Sequence, residues 1–242
     1  MNGLAGKAFI LILTLFISIC LFGQTNTAGS WNVINTKVHF VNNNGFIFFE
    51  GVVRSQKLTN IFNYHDLKIG IVYNPSDKIG LHFGLGDYVN YNSTGNFESP
   101  AQTEMRIWEQ IQLNLQIGMV KLDHRYRIEQ RFFSSGFRNR FRYRLNTTIP
   151  VVKTKNKSRI LYMIASDEIF LTNTRPFFEK NRWLAGLTYS FNKYFAMQMA
   201  WIHDNDLRKN GITTTKNYIQ TSLLFDIYYT NNHRRNRPET AN

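Results

Sequence analysis

Between residues 103 and 150 lie three consecutive segments in which polar and apolar side chains alternate with a period of two. No other feature constrains the fold as tightly. In the first, Glu104, Arg106, Gln110, Gln112, Asn114 and Gln116 share one parity, and Met105, Ile107, Ile111, Leu113, Leu115 and Ile117 share the other. In the second, Lys121, Asp123, Arg125, Arg127, Glu129 and Arg131 alternate with Leu122, Tyr126, Ile128 and Phe132. In the third, Arg138, Arg140, Arg142, Arg144, Asn146 and Thr148 alternate with Phe141, Tyr143, Leu145 and Ile149. Successive side chains of a strand point to opposite faces, so each segment predicts a strand with one charged and one apolar face.

Two architectures satisfy that pattern. A soluble sheet covers its apolar face with helices or a second sheet. A closed barrel in lipid turns the apolar face outward, where acyl chains cover it, and encloses the polar face. No amphipathic segment of helical period interrupts the strands, so the sequence supplies nothing to cover a soluble sheet. The expected fold is all-β: a transmembrane antiparallel up-and-down barrel.

The N-terminus indicates the compartment. Residues 1–23 read as a cleaved signal peptide, with Lys7 as the basic n-region, residues 8–19 as the apolar run, and a cut near Gly23 and Gln24. The run is short for a span and lacks a basic stop-transfer flank. Cys20, the single cysteine, follows Ile19 where a lipidation signal wants a small residue. The processed chain thus has no thiol for a disulfide, metal or redox site. Residues 24–230 form the barrel domain, and residues 231–242 a polar, basic, disordered tail.

Mean hydropathy is −0.32, which by itself would suggest a soluble chain. Membrane barrels escape that test because half of each strand faces a polar lumen. The 20 Phe and 12 Tyr suit aromatic girdles at two interfaces. A net charge of +13 and a pI near 9.9 invite a nucleic-acid partner. Much of the Arg, however, sits at alternate strand positions opposite carboxylates, and a secreted chain seldom meets nucleic acid. That partner is set aside.

In chain order, strands are expected over 31–41, 46–56, 64–73, 79–91, the three segments above, 159–171, 182–191, 194–204 and 216–229. Residues 42–45 (Asn-Asn-Asn-Gly) and 74–77 (Asn-Pro-Ser-Asp) read as tight turns. Short turns follow strands three, five, seven and nine, whereas longer polar connections follow strands four, eight and ten. That gives eleven segments. Single-chain bacterial barrels have even counts, so ten or twelve is expected, with twelve favoured.

The chain resembles a family of uncharacterised outer-membrane β-barrel proteins of Gram-negative bacteria, known as a domain of unknown function. The resemblance runs over about residues 31–229. It rests on an early Trp31 strand, on Glu50 with Arg54, on Glu104-Met105-Arg106, and on the run from His124 to Arg131. It continues through Asn139 to Arg144, Asp167-Glu168, and Asn181-Arg182 before Gly186. It implies a fold and an outer-membrane location, with lipid and the barrel-assembly machinery as partners, and brings no established activity. One departure is that Tyr228-Tyr229 is followed by a polar tail, where many such proteins end on an aromatic residue.

The expected lumen lining comprises Glu50, Arg54, Glu104, Arg106, Arg125, Arg127, Glu129, Arg131, Arg140, Arg142, Arg144, Glu168 and Arg182. Glu50, Asp123, Glu168 and Asp226 are expected to pair with the excess Arg. Two readings stay open. Paired charges fill a narrow wet barrel, or unmatched guanidinium groups favour small anionic solutes. A monomer without cofactor is expected in either case. The alternative is an outer-membrane enzyme acting on lipid or envelope substrates, for which only weak candidates exist. His124 breaks its strand's apolar parity, His82 faces inward, and His203-Asp204-Asn205-Asp206 could form a hydrolytic pair or a Ca²⁺ loop.

Overall fold

In a computed structural model, residues 28–41, 44–92, 97–153, 159–207 and 211–229 are described. The expected leader at 1–23 and the expected tail at 231–242 lie outside them. Eleven strands follow one another: β1 (Ala28–His39), β2 (Gly45–Ser55), β3 (Phe62–Ser76), β4 (Ile79–Tyr91), β5 (Pro100–Ile117), β6 (Val120–Phe133), β7 (Gly136–Lys153), β8 (Arg159–Thr172), β9 (Phe178–Ser190), β10 (Phe195–Leu207) and β11 (Thr213–Tyr228). Each pairs antiparallel with the next, and β1 pairs with β11 to close the barrel. Among the described residues there is no helix, hence none long and apolar enough to cross a membrane.

The even count is corrected. Eleven up-and-down strands leave the first and last running the same way, so the closing ladder is parallel. It runs unbroken from Ala28 opposite Asn217 to His39 opposite Tyr228. Parallel pairing is slightly weaker per residue than antiparallel, and side chains reinforce this seam at both ends. Trp31 meets Tyr218 edge-on at 5.5 Å between centroids. His39 stacks on Tyr228 at 4.3 Å, and its Nε2 lies 2.6 Å from Asp226 Oδ1.

The C-terminal ends of β1, β3, β5, β7 and β9 share one rim, here the hairpin rim. Those of β2, β4, β6, β8 and β10 share the other, the loop rim. Residues 74–77 are not a simple turn. Strand β3 runs on to Ser76, and the register shifts between Tyr73 and Ser76. Pro75 cannot donate to a ladder, so it sits where the ladder is already broken. Likewise β9 begins at Phe178, within the segment expected to be a loop, after a register shift between Phe170 and Leu171.

The alternating pattern becomes a two-faced wall. Ile34, Leu67, Ile69, Phe83, Ile111, Tyr126, Phe141, Met163, Trp183 and Trp201 all point outward and are exposed. The opposite parity encloses two small apolar clusters, Val33, Val52, Tyr64 and Tyr88 with Trp31, and Phe48, Val72 and Trp108 with Phe46. Both stand on β1–β5. Two inner rings need glycine beneath them. Trp108 is the register partner of Gly84, and Phe48 that of Gly70. A Cβ at Gly84 would lie within the indole of Trp108, and one at Gly70 would lie 2.5 Å from Phe48 Cε1.

Gly84→Val should therefore push Trp108 off the wall and destabilise the barrel by about 1–3 kcal/mol, the usual cost of overpacking. Urea unfolding followed by Trp fluorescence reads it, and an unchanged midpoint would contradict the packing described.

Candidate functional site

The inner parity of β5–β10 carries most of the charge, and Glu104, Glu129, Glu168, Glu179 and Asp204 each hold more than one cation. Glu104 accepts from Arg106 through Nε (2.6 Å) and Nη2 (3.0 Å), and from both Nε and Nη2 of Arg131, the latter at 2.8 Å. Glu129 is 0% exposed. It meets Arg142 directly, with Arg106 and Arg140 at 3.5 Å and Arg127 at 3.6 Å. One oxygen of Glu168 takes Arg125 and also Arg142, the latter at 2.9 Å from Nε. Glu179 holds Arg140 by a two-pronged contact of 2.7 and 2.5 Å. Asp204 holds Arg182 in the same way at 2.6 and 2.7 Å. The planar guanidinium fork matches a carboxylate's two oxygens, which makes these close bidentate pairs possible.

Register explains the placement. Glu129 stands opposite Arg140, Arg144 opposite Glu168, Glu168 opposite Arg182, and Arg182 opposite Asp204. Charges of alternating sign thus run in one row from β7 to β10, whereas on β6 the partner of Arg144 is Arg125. They are concentrated toward the loop rim. Toward the hairpin rim the wall holds more neutral polar groups, with Gln112, Asn146, Gln198 and Ser222, beside the Lys121–Asp123 and His39–Asp226 pairs.

Aromatic rings carry the cations that face the apolar side. The Arg54 guanidinium lies 3.4 Å from the Tyr64 ring centroid and 4.5 Å from that of Trp31. Arg106 sits over Tyr88 at 3.7 Å, Arg127 over Trp108 at 3.9 Å, and Arg182 over Trp31 at 4.5 Å. Ring faces are electrostatically negative, so they favour cations in a space with few acids. Arg127 also donates to Gln110 Oε1 at 2.9 and 2.7 Å. A cavity of about 460 Å³ remains between the walls, lined by Arg125, Arg127, Arg142, Arg144, Glu50 and Gln198 among others.

Several expectations need correction. Of the four acids expected to hold Arg, Glu168 does, and among the described residues the other three hold other cations. Glu50 pairs with Lys68 at 2.6 Å, Asp123 with Lys121 at 3.2 Å, and Asp226 with His39. Residues 203–206 are not a rim loop. They lie in β10, where His203 faces outward and bonds Asn217 at 2.7 Å, while Asp204 faces inward onto Arg182. Alternation separates the pair, so neither a hydrolytic dyad nor a Ca²⁺ loop forms there. His82 is on the inner wall opposite Gln110 and Val72. His124 faces outward, 2.9 Å from the Tyr143 hydroxyl.

Among the described residues no group of three His, Cys, Asp or Glu side chains is arranged to hold a metal ion. Two acids of the network were missed. Asp204 shares parity with Ala200 and Ile202, so its inward direction was readable. Glu179 turns inward only because of the register shift in β9, which no local pattern announces.

Residues 28–215 match the family described as "Protein of unknown function (DUF2490)". No curated protein and no solved structure matches the chain.

Glu129→Ala would leave four guanidinium groups without their shared anion. Removing one partner of a buried ion pair costs about 3–5 kcal/mol, so the urea midpoint of the variant should fall accordingly. Glu109→Ala, on the exposed outer wall, should change it little, and equal losses would deny the network its weight.

Proposed function

We propose that this chain, which belongs to the DUF2490 family, is an outer-membrane β-barrel whose lumen is a narrow passage preferring small anionic solutes. The observation that carries the membrane reading is the outer wall. A closed barrel has no second layer, and its outward parity is apolar around the whole circumference. In water such a belt would far exceed the few hundred Å² of contiguous apolar surface usual for soluble monomers. Acyl chains provide the missing cover.

Two further features support the same reading. Rings gather outside the hairpin rim, where Phe191 stacks on Phe195 at 5.0 Å and Phe195 on Phe225 at 5.1 Å. On the loop-rim side, Phe132 meets Phe137 at 5.1 Å. Aromatic rings at two levels suit the two interfaces of a bilayer. Some of the polar groups that face outward are bonded to each other: Gln130 to Glu109 at 3.1 Å and Asn181 to Asp167 at 2.5 Å. Pairing of this kind lowers the cost of polar atoms near lipid.

Anion preference rests on charge. The cavity wall includes nine Arg and two Lys but only Glu50, Asp66 and Glu168 as acids. Even with the acids behind them, cations predominate. The ion-paired half near the loop rim is the constriction, which implies small currents.

After expression in a Gram-negative host, the protein is expected in the outer-membrane fraction, released by detergent alone. In planar bilayers it should pass small, anion-preferring currents. Arg127→Ala or Arg142→Ala should move the reversal potential in a salt gradient toward cation preference, because each removes a positive charge from the wall. Recovery as a free periplasmic protein would overturn the membrane reading. Absence of any conductance would overturn the passage.

A further inference from the structure

Two neighbouring cations on the inner wall have more donor capacity than the barrel supplies acceptors. Arg125 and Arg144 are register partners on β6 and β7. Like charges directly opposite each other on a sheet are destabilising. Both line the cavity. Arg125 is 7% exposed, and its ion pair is to a Glu168 oxygen that Arg142 also occupies. Arg144 forms no ion pair among the described residues. The Nε of each is buried without a hydrogen-bond acceptor.

Glu168 stands opposite Arg144 but gives its ion pairs to Arg125 and Arg142, and the other carboxylates nearby hold other partners. Asp123 holds Lys121 and accepts from Asn146 at 3.3 Å, and Glu50 holds Lys68 and accepts from Asn35 at 3.1 Å. The wall of the same cavity on β10 and β11 is neutral, with Gln198 bonded to Gln220 at 2.9 Å and Ser222 beside them. A buried charge without a counter-charge is costly, and a buried N–H without an acceptor adds to that cost.

We propose that Arg125 and Arg144 form an oxyanion site in the lumen, taking the phosphate or carboxylate group of a small solute. The site rests on the reading of the lumen as a polar passage and gives that passage a point of recognition. The planar fork of a guanidinium matches the oxygens of such a group better than it matches a spherical halide, and two stand side by side here. The amides and hydroxyl elsewhere on the cavity wall can take up neutral polar atoms of the same solute. A volume of about 460 Å³ suits a small molecule and excludes a polymer.

The test uses the full barrel in detergent. Its thermal midpoint is followed while sodium phosphate, or separately sodium succinate, is titrated against sodium chloride at equal ionic strength. A saturable rise beyond that of chloride is expected with at least one of them, and which one identifies the preferred oxyanion. Arg144→Gln should weaken that binding at least tenfold while leaving the ligand-free midpoint unchanged or higher, because it relieves a like-charge contact. Arg144→Lys, which keeps the charge and loses the fork, should fall between. Arg138→Gln, which removes a positive charge from β7 outside the cavity lining, should bind as the wild type does. No saturable rise with either anion, or equal affinity in Arg144→Gln, overturns the site. A barrel that binds but does not conduct retains the site and loses the passage, so the two failures are distinguishable.

Discussion

Closure of the backbone ladder governs everything else in this molecule. A sheet with free edges leaves rows of N–H and C=O groups unpaired, whereas a barrel pairs them around its circumference. Here the last step of closure is the parallel seam between β1 and β11. Because the ring is complete, each strand has one face that can only look in and one that can only look out. The sorting of Arg from Ile along β5–β7 is the chemical consequence.

Enclosing one face creates a second problem. Guanidinium and carboxylate groups taken from water need partners, since desolvation otherwise outweighs any attraction between them. The barrel meets this by sharing: Glu129 serves four Arg, Glu104 two, and Glu168 two. Rings on the uncharged side, notably Tyr88 and Trp108, take Arg106 and Arg127. Glycine under Trp108 and Phe48 lets those rings lie flat and keeps space open above them. The interior is therefore uneven: the Arg-rich network stands on β5–β10, and the apolar clusters stand on β1–β5 beside the Glu50–Lys68–Asp66 pairs.

Much of this was legible beforehand. Period-two parity predicts one shared direction for Glu104, Arg106, Arg125, Arg127, Glu129 and Arg140, because a strand allows only two directions, and these side chains meet in buried interior ion pairs or hydrogen bonds. Partner choice was not legible. Glu50 could have met any inner cation, and only register puts Lys68 opposite it. The expected His203–Asp204 site failed for the opposite reason: proximity in sequence was allowed to outweigh alternation, which sends adjacent residues to opposite faces. Glu179 depended on a bulge, a one-residue shift that reverses the parity of the residues beyond it.

By itself, the sequence determined that this is an all-β chain with one ionic and one apolar face per strand, since that information is local and repeats every two residues. Strand number and closure, the parallel seam, and the cation that each acid holds were decided only in three dimensions. They depend on the register between segments up to about two hundred residues apart, such as β1 and β11, and no local pattern encodes that offset. The same holds for Arg144: its inward direction is written in the chain, but its lack of a partner appears only once every neighbouring carboxylate has been placed.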